Sequence, residues 1–348
     1  MPTLAAILNV SNLPGIVLAL LIIVGLCFLI FGGDWLCRGA ASLAMSLNVA
    51  PVVVGLTVVS VATSAPELFT ALVSVQQGQP GLAVGNIIGS NAANMGLILG
   101  SAALIAPIAV HSRLIRWEAP ILLLITALFG LLCFLNGGIG RIDGILLLSL
   151  TIVYLVFIVR TAKDSRIGEE ISEEVPPQIR SIFACILLVL AGGFFLWLGA
   201  DLLVDAATES ARRLGVSETL IGITVVAVGT SLPELGATIA AALHRQSGII
   251  VGNILGSNLF NLILICGVVG SVLPFPVDPM LLRMEIPALF LFTLIFTWFI
   301  ASHRRVNRLE GGILLVIYAL FILLSSIAQS GGFDSTLTPT SGAFLSMP

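Results

Sequence analysis

The chain has 348 residues, of which 58% are hydrophobic and only 9% are charged. Soluble domains carry about 25% charged residues, so this composition excludes a water-soluble globular protein and indicates an integral membrane protein. The five cysteines stand singly and predict no disulfide framework or thiolate metal site. The net charge of −3 indicates little by itself, and we expect no nucleic-acid partner, obligate protein partner or prosthetic group.

Apolar runs of the length of a bilayer recur along the whole chain. Residues 1–13 contain no Lys or Arg, so the first run lacks the basic flank of a signal peptide. A span needs about 20 apolar residues. On that basis the sequence predicts ten spans, at 14–33, 49–76, 81–106, 117–136, 142–160, 180–203, 216–243, 247–271, 283–302 and 309–328.

The charged residues divide the chain into two halves. Residues 161–179 form the one long charged stretch and include Pro176 and Pro177. We interpret 1–160 and 180–328 as two five-span repeats, joined by this charged linker. Residues 329–348 are rich in Ser, Thr, Gly and Pro, which predicts a disordered tail.

A polar motif occurs once in each half. Residues 55–100 recur as 222–267 without insertion or deletion, and 23 of the 46 aligned positions are identical. The identical positions include most of the polar residues, which chance matching between apolar helices would not produce. In the first copy the matched positions include Thr63, Ser64, Pro66, Glu67, Gly85, Asn86, Gly89, Ser90, Asn91 and Asn94.

An odd number of spans per half inverts the second half in the membrane, so the repeats are expected to be related by a pseudo-two-fold axis in the membrane plane. The positive-inside rule predicts the orientation. With the N-terminus outside, 11 of the 15 Lys and Arg face the cytoplasm and 4 face out. Both termini are therefore expected outside, and the linker at 161–179 in the cytoplasm.

The first copy of the motif predicts a break in a span beside a buried acid. Pro66 has no N–H, so the carbonyl of Ala62 loses its helical partner. Thr63 and Ser64 lie one helical turn before Glu67, on the same face. A charge at mid-bilayer costs roughly 2.5–3.5 kcal/mol, so we expect Glu67 to have a function. A cation would satisfy both the carboxylate and the freed carbonyl.

The following span adds a stripe of amides and a hydroxyl, since Asn86, Ser90 and Asn94 recur every four residues. The second copy supplies the same types of oxygen, at Thr230, Ser231, Glu234, Asn253, Ser257 and Asn261. If the halves face each other, two carboxylates and neutral oxygens converge at mid-membrane. Ca²⁺ takes 6–8 oxygen ligands, whereas soft metals prefer the thiolate and imidazole groups that these faces lack, apart from Cys266 at the far end.

The charge count indicates an exchanger. Two carboxylates neutralise one divalent cation, or two monovalent cations with a third left in excess. If three Na⁺ moved against one Ca²⁺, one net charge would cross per cycle. The membrane potential would then contribute about 2.3 kcal/mol per 100 mV.

The doubled pattern Gly-Thr-Ser-x-Pro-Glu with Gly-Asn-x-x-Gly-Ser-Asn-x-x-Asn resembles the α-repeats of the sodium/calcium exchanger family, within the cation/calcium antiporter superfamily. The resemblance covers nearly the whole chain and is of the minimal prokaryotic type. It implies ten helices in two inverted halves, and Na⁺/Ca²⁺ antiport by alternating access in a prokaryotic inner membrane. The first and sixth helices would slide against a rigid core.

The resemblance also implies the ion-binding residues. The ligands would be Ser60, Thr63, Ser64, Glu67, Ser90, Asn94, Ala227, Thr230, Ser231, Glu234, Ser257 and Asn261, with Ser60 and Ala227 acting through backbone oxygens. Glu67 and Glu234 would bridge Ca²⁺ and Na⁺. Some members carry Asp at the position of Asn261, so this chain has two acids and not three, which leaves the stoichiometry open. Ala62 also stands where the motif usually has Gly.

Several alternatives stay open at this point. A proton-coupled Ca²⁺ antiporter of the same fold would use the same acids, although those relatives carry an acid on the Gly-Asn helix. A K⁺ requirement is a further variant. An intramembrane protease would need a buried Ser-His or Asp-Asp pair, which the predicted spans do not supply. A passive channel would show unitary currents, and tight multi-oxygen ligation argues against fast conduction.

Overall fold

The computed structural model describes residues 10–47, 49–161, 179, 181–215, 229–302 and 304–329. Apart from one 3-10 turn at Val10–Asn12, the helices of these residues are, in chain order, α1 Gly15–Ser46, α2 Pro51–Thr63, α3 Ala65–Gln76, α4 Pro80–Ile105, α5 Leu114–Asn136, α6 Arg141–Thr161, α7 Ile182–Arg213, α8 Leu232–Leu243, α9 Ser247–Val272, α10 Leu281–Ser302 and α11 Arg308–Gln329.

Among the described residues, eight helices are long and apolar enough to cross a membrane, and the bent pair α2–α3 makes a ninth span. The predicted seventh span, 216–243, is represented by α8, because residues 216–228 lie outside the described part of the chain. The predicted all-α fold with ten spans in two inverted five-helix repeats is confirmed.

Two predicted helix ends are wrong. The spans predicted at 14–33 and 180–203 are the beginnings of α1 and α7, which are 32 residues long each. At 1.5 Å per residue each helix is about 48 Å long, whereas the hydrocarbon core is only about 30 Å thick. Charged residues end the apolar run but not the helix, since Asp34 pairs with Arg38 one turn later, at 3.0 Å.

The helices α1 and α7 lie along each other through glycines. A Cβ atom at Gly25 would lie 2.8 Å from the carbonyl oxygen of Gly199, and one at Gly32 would lie 2.8 Å from the backbone nitrogen of Leu196. Small residues allow such close approach of backbones between membrane helices. The two helices therefore form one closely packed pair, and Gly33 of α1 meets the carbonyl oxygen of Gly236 in α8.

Four short strands reproduce the internal symmetry. Strand β1 Ile108–Ala109 pairs antiparallel with β4 Arg305–Val306, and β2 Gly138–Ile139 pairs with β3 Phe275–Pro276. The repeat offset carries β1 onto β3 and β2 onto β4, so each ladder joins one half to the other. The loop before α5 therefore lies beside the loop before α11, as the inverted arrangement requires.

The fifth span of each half carries an acidic residue in its first turn, and the structure explains both acids. Asp143 accepts the backbone N–H of Gly140 at 2.9 Å, and Glu310 accepts that of Asn307 at 2.8 Å. A carboxylate in the first helical turn satisfies free N–H groups and interacts favourably with the helix dipole. These two acids are accounted for without a role in ion binding.

The strand pairing can be tested by cross-linking. We expect Ala109→Cys combined with Arg305→Cys to form a disulfide, because the two residues are register partners and antiparallel partners have Cα atoms about 4.5–5.5 Å apart. The measurement is an oxidant-dependent gel shift after cleavage between the halves, in a variant whose native cysteines are replaced. Ala109→Cys with Pro276→Cys joins opposite ends of the protein and should give no cross-link; efficient cross-linking there would contradict the arrangement.

Candidate functional site

The two buried glutamates of the repeats lie where the helix breaks of the two halves meet. Glu67 and Glu234 stand in the first turns of α3 and α8, and their exposures are 0% and 1%. Ser64 Oγ donates a hydrogen bond across the halves to Glu234 Oε1, at 3.2 Å. Because Ser64 lies one helical turn before Glu67, this contact brings Glu234 into the same site as Glu67.

The break between α2 and α3 sets the position of these groups. Ser64 has φ −87° and ψ 3°, outside the helical range, and the two helices meet at 42°. Ser231, before α8, has nearly the same angles, φ −92° and ψ 5°. Pro66 and Pro233 lie at the second positions of the following helices, where a missing N–H costs little. The proline therefore bends the span and starts a new helix that carries the glutamate inward.

The helix α2 packs its hydroxyls directly onto α9 of the other half. Ser60 Oγ donates to the carbonyl oxygen of Asn253 at 3.1 Å, and Thr63 Oγ1 donates to the side-chain oxygen of Asn253 at 3.3 Å. Gly256 makes this approach possible, because a Cβ atom there would lie 2.7 Å from the carbonyl oxygen of Leu56. The repeated Gly-Asn helix thus forms the wall against which α2 rests.

Four asparagines join α4 to α9 at the centre of the molecule. Asn94 Nδ2 donates to Asn258 Oδ1 at 3.0 Å, and Asn261 Nδ2 donates to Asn91 Oδ1 at 2.9 Å. Each bond is the image of the other under the repeat. Asn94 and Asn261 also begin π-helical turns, which are frequent at functional sites.

The two serines of the stripe complete the buried set. Ser231 Oγ donates to Ser90 Oγ at 3.5 Å, and Ser257 Oγ donates to the side-chain oxygen of Asn253, also at 3.5 Å. Both Ser90 and Ser257 are buried.

Two of the expected ligand residues, Thr230 and Ala227, are not among the described members of this buried set. Thr230 is partly buried, immediately before the break. Ala227 lies outside the described residues.

Several oxygens of this cluster have no hydrogen-bond donor among the described residues. They are Glu67 Oε1 and Oε2, Glu234 Oε2, Asn94 Oδ1 and Asn261 Oδ1. A buried acceptor without a partner is costly in an apolar environment. A set of hard oxygens with an excess of negative charge has the chemistry of a binding site for a cation such as Na⁺ or Ca²⁺.

The site is not a cluster of charged ligands. The described residues contain no group of three or more His, Cys, Asp or Glu side chains arranged to hold a metal. Two carboxylates are surrounded by hydroxyls and amides, so the charge of the site is at most −2 when it is empty. That charge suits one divalent ion or a small number of monovalent ions.

Asn91, Asn253 and Asn258 contact this site and were not in the implied ligand list, although Asn253 lies on the predicted stripe of the second copy. All three match across the repeat at the common offset of 167, which is the signal that could have selected them. However, Asn91 and Asn258 do not lie on the stripe of residues that recur every four positions, so a search for polar residues along that helical face does not find them.

Comparison with known proteins supports the same conclusion. The profile of the family described as "Sodium/calcium exchanger protein" matches residues 17–160 and 184–327. The putative antiporter CaxA of Alkalimonas amylolytica is 37% identical over 320 residues, which cover 89% of this chain and 100% of the relative. The sodium/calcium exchanger MaX1 of Methanosarcina acetivorans is 31% identical over 88% of this chain and 97% of its own length.

A solved structure gives the same result. The sodium-calcium exchanger NCX_Mj, soaked with zero Na⁺ and Ca²⁺, superposes with a TM-score of 0.77 at 30% identity, covering 90% of this chain and 100% of that one. Two matched segments, two buried glutamates and a duplicated oxygen-rich motif agree with these similarities. This chain is therefore a multi-pass membrane transporter that belongs to the sodium/calcium exchanger protein family.

Proposed function

We propose that the protein exchanges Na⁺ for Ca²⁺ across the membrane by alternating access at the site between the halves. The observation that carries this proposal is the convergence of Glu67 and Glu234, bridged by Ser64 at 3.2 Å from Glu234. The names of the relative MaX1 and of the NCX_Mj structures describe sodium/calcium exchange. Two buried acids can hold Ca²⁺ in one half of the cycle and Na⁺ in the other.

The ligands divide by charge in this proposal. Glu67 and Glu234 bridge the ions, and neutral oxygens complete the Na⁺ positions. The neutral ligands are Thr63, Ser64, Ser90, Asn94, Thr230, Ser231, Ser257 and Asn261, together with the backbone oxygens of Ser60 and Ala227. With three Na⁺ moving against one Ca²⁺, transport would be electrogenic.

The motion is assigned to α1 and α7. Their mutual contact through glycine backbones, as at Gly25 and Gly199, supports movement of the pair as one unit. The strands and the cross-repeat contacts of α2, α4 and α9 support a rigid core. Sliding of the pair across that core would open the site to one side of the membrane at a time.

The remaining features of the proposal concern orientation. We place both termini outside, the charged linker at 161–179 in the cytoplasm and the protein in a prokaryotic inner membrane, with 1–160 and 180–328 as the two repeats and 329–348 as a tail. The distribution of Lys and Arg, 11 inside against 4 outside, supports this orientation.

Flux measurements in proteoliposomes test the coupling. We expect an outward Na⁺ gradient to drive radioactive Ca²⁺ uptake, and an inside-positive potential set with a K⁺ ionophore to change its rate. A pH gradient without Na⁺ should drive no uptake, and replacing K⁺ with choline should leave the Na⁺-driven flux intact. Uptake driven by the pH gradient alone would contradict Na⁺ coupling and favour the proton-coupled alternative, whereas dependence on K⁺ would favour the K⁺-coupled one.

A further inference from the structure

The four asparagines between α4 and α9 do not have the same hydrogen-bonding role. In Asn94 and Asn261 the amide nitrogen is the group that bonds, and it donates across the repeat. In Asn91 and Asn258 the side-chain oxygen is the group that accepts those bonds. An amide presents its oxygen on one side and its NH₂ on the other. A hydrogen bond donated by the nitrogen therefore fixes the direction in which the oxygen points.

We propose that Asn91 and Asn258 are positioning residues that orient the amides of Asn94 and Asn261, so that both present oxygen to the transported cation; this inference rests on the proposed function. Asn94 Oδ1 and Asn261 Oδ1 are buried and have no donor among the described residues. If either amide turned over, its NH₂ would face the cation and its oxygen would face another oxygen.

The two positioning residues are not held equally. Asn91 Nδ2 donates to the backbone carbonyl of Asn258 at 3.3 Å, which fixes the orientation of Asn91. Asn258 Nδ2 has no partner among the described residues. Asn91 therefore resists turning over, while Asn258 is held by the bond from Asn94 alone.

The orientation explains how a neutral amide presents oxygen to a cation as a carboxylate does. A carboxylate has two acceptor oxygens and no N–H, so it presents oxygen to a cation in either orientation. Its other oxygen would face the side-chain oxygen of the positioning residue. An ionised carboxylate at position 261 is thus unfavourable while Asn91 is present, and becomes favourable when Asn91 no longer supplies an acceptor.

Matched and mismatched double variants test this inference. We expect Asn91→Leu and Asn258→Leu each to raise the Kd for Ca²⁺ by roughly tenfold, the usual effect of removing a group that orients a metal ligand. Asn261→Asp should restore binding in the Asn91→Leu variant, and Asn94→Asp should restore it in the Asn258→Leu variant. The measurement is equilibrium binding of radioactive Ca²⁺ to the purified full-length protein.

The mismatched pairs serve as controls of equal charge. Asn91→Leu with Asn94→Asp, and Asn258→Leu with Asn261→Asp, add the same acid to the same site but leave the disoriented amide in place. They should not regain the affinity that the matched pairs regain. Equal recovery in matched and mismatched pairs would overturn the inference, since added charge alone would then explain the effect.

A readout without ions separates this inference from the proposed function. In Na⁺-free and Ca²⁺-free buffer, the thermal unfolding of Asn91→Leu, Asn261→Leu and the double variant should show coupling, because both residues belong to one hydrogen bond. Additive shifts in Tm would overturn the orienting contact. If the unsubstituted protein bound neither Ca²⁺ nor Na⁺, the proposed function would fail, and the coupling would still decide the orientation.

Discussion

Replacing Glu67 with glutamine is expected to abolish Na⁺-driven Ca²⁺ uptake while leaving the protein folded. Glutamine keeps the shape of the side chain but removes the charge that faces a desolvated cation. Loss of one partner from a buried charge pair costs about 3–5 kcal/mol, which corresponds to a loss of affinity of at least about a hundredfold. Glu234→Gln should have the same effect, although its side-chain oxygen can still accept the hydrogen bond from Ser64.

The unfolding behaviour of these variants identifies the cause. Without ions, two buried carboxylates in one site repel each other, so removing one should leave the Tm unchanged or raise it. Ca²⁺ stabilises only a protein that binds it, and the variants should therefore lose the Ca²⁺-dependent rise in Tm. Asp278→Asn, at an exposed position before α10, is the control and should transport normally. Substantial uptake by either glutamine variant would refute the assignment of the site.

The second large effect is expected from Gly256→Val, which should eliminate transport and lower the Tm by several degrees. A Cβ atom at this position would lie 2.7 Å from the carbonyl oxygen of Leu56, and it would also meet Ser60 Oγ. Overpacking a close helix contact costs about 1–3 kcal/mol. The added methyl groups would push α2 away from α9 and displace Ser60 and Thr63 from Asn253.

A graded series gives this prediction a control. Gly256→Ala adds one carbon and should reduce the rate of uptake less than Gly256→Val does. Gly312, in α11, has no described atom within 4 Å of the position of an added Cβ, so Gly312→Ala and Gly312→Val should transport at nearly the normal rate. If Gly256→Val retained full activity, the direct contact of α2 with α9 would not be needed for the site.

The predicted number of spans agreed with the structure, but two of their ends did not. Hydropathy identifies the apolar run that prefers lipid, and in the first span this run ends at residue 33. The helix itself continues to Ser46, because intrahelical hydrogen bonds do not require an apolar surface. Asp34 and Arg38 form an ion pair on that extension at 3.0 Å. Hydropathy counts both residues as polar and does not show that they pair along a helix.

The amino-acid sequence alone determined the membrane location, the duplicated motif and the oxygen chemistry of the site. These properties depend on residue type and spacing, and a buried carboxylate repeated at a constant offset is improbable unless it has a function. The tertiary structure alone decided which donor meets which acceptor across the halves: Ser64 with Glu234, Thr63 with Asn253, and the reciprocal asparagine bonds. The physical reason is that a side-chain hydrogen bond depends on where two helices cross and how each is rotated, and spacing along one helix contains neither quantity.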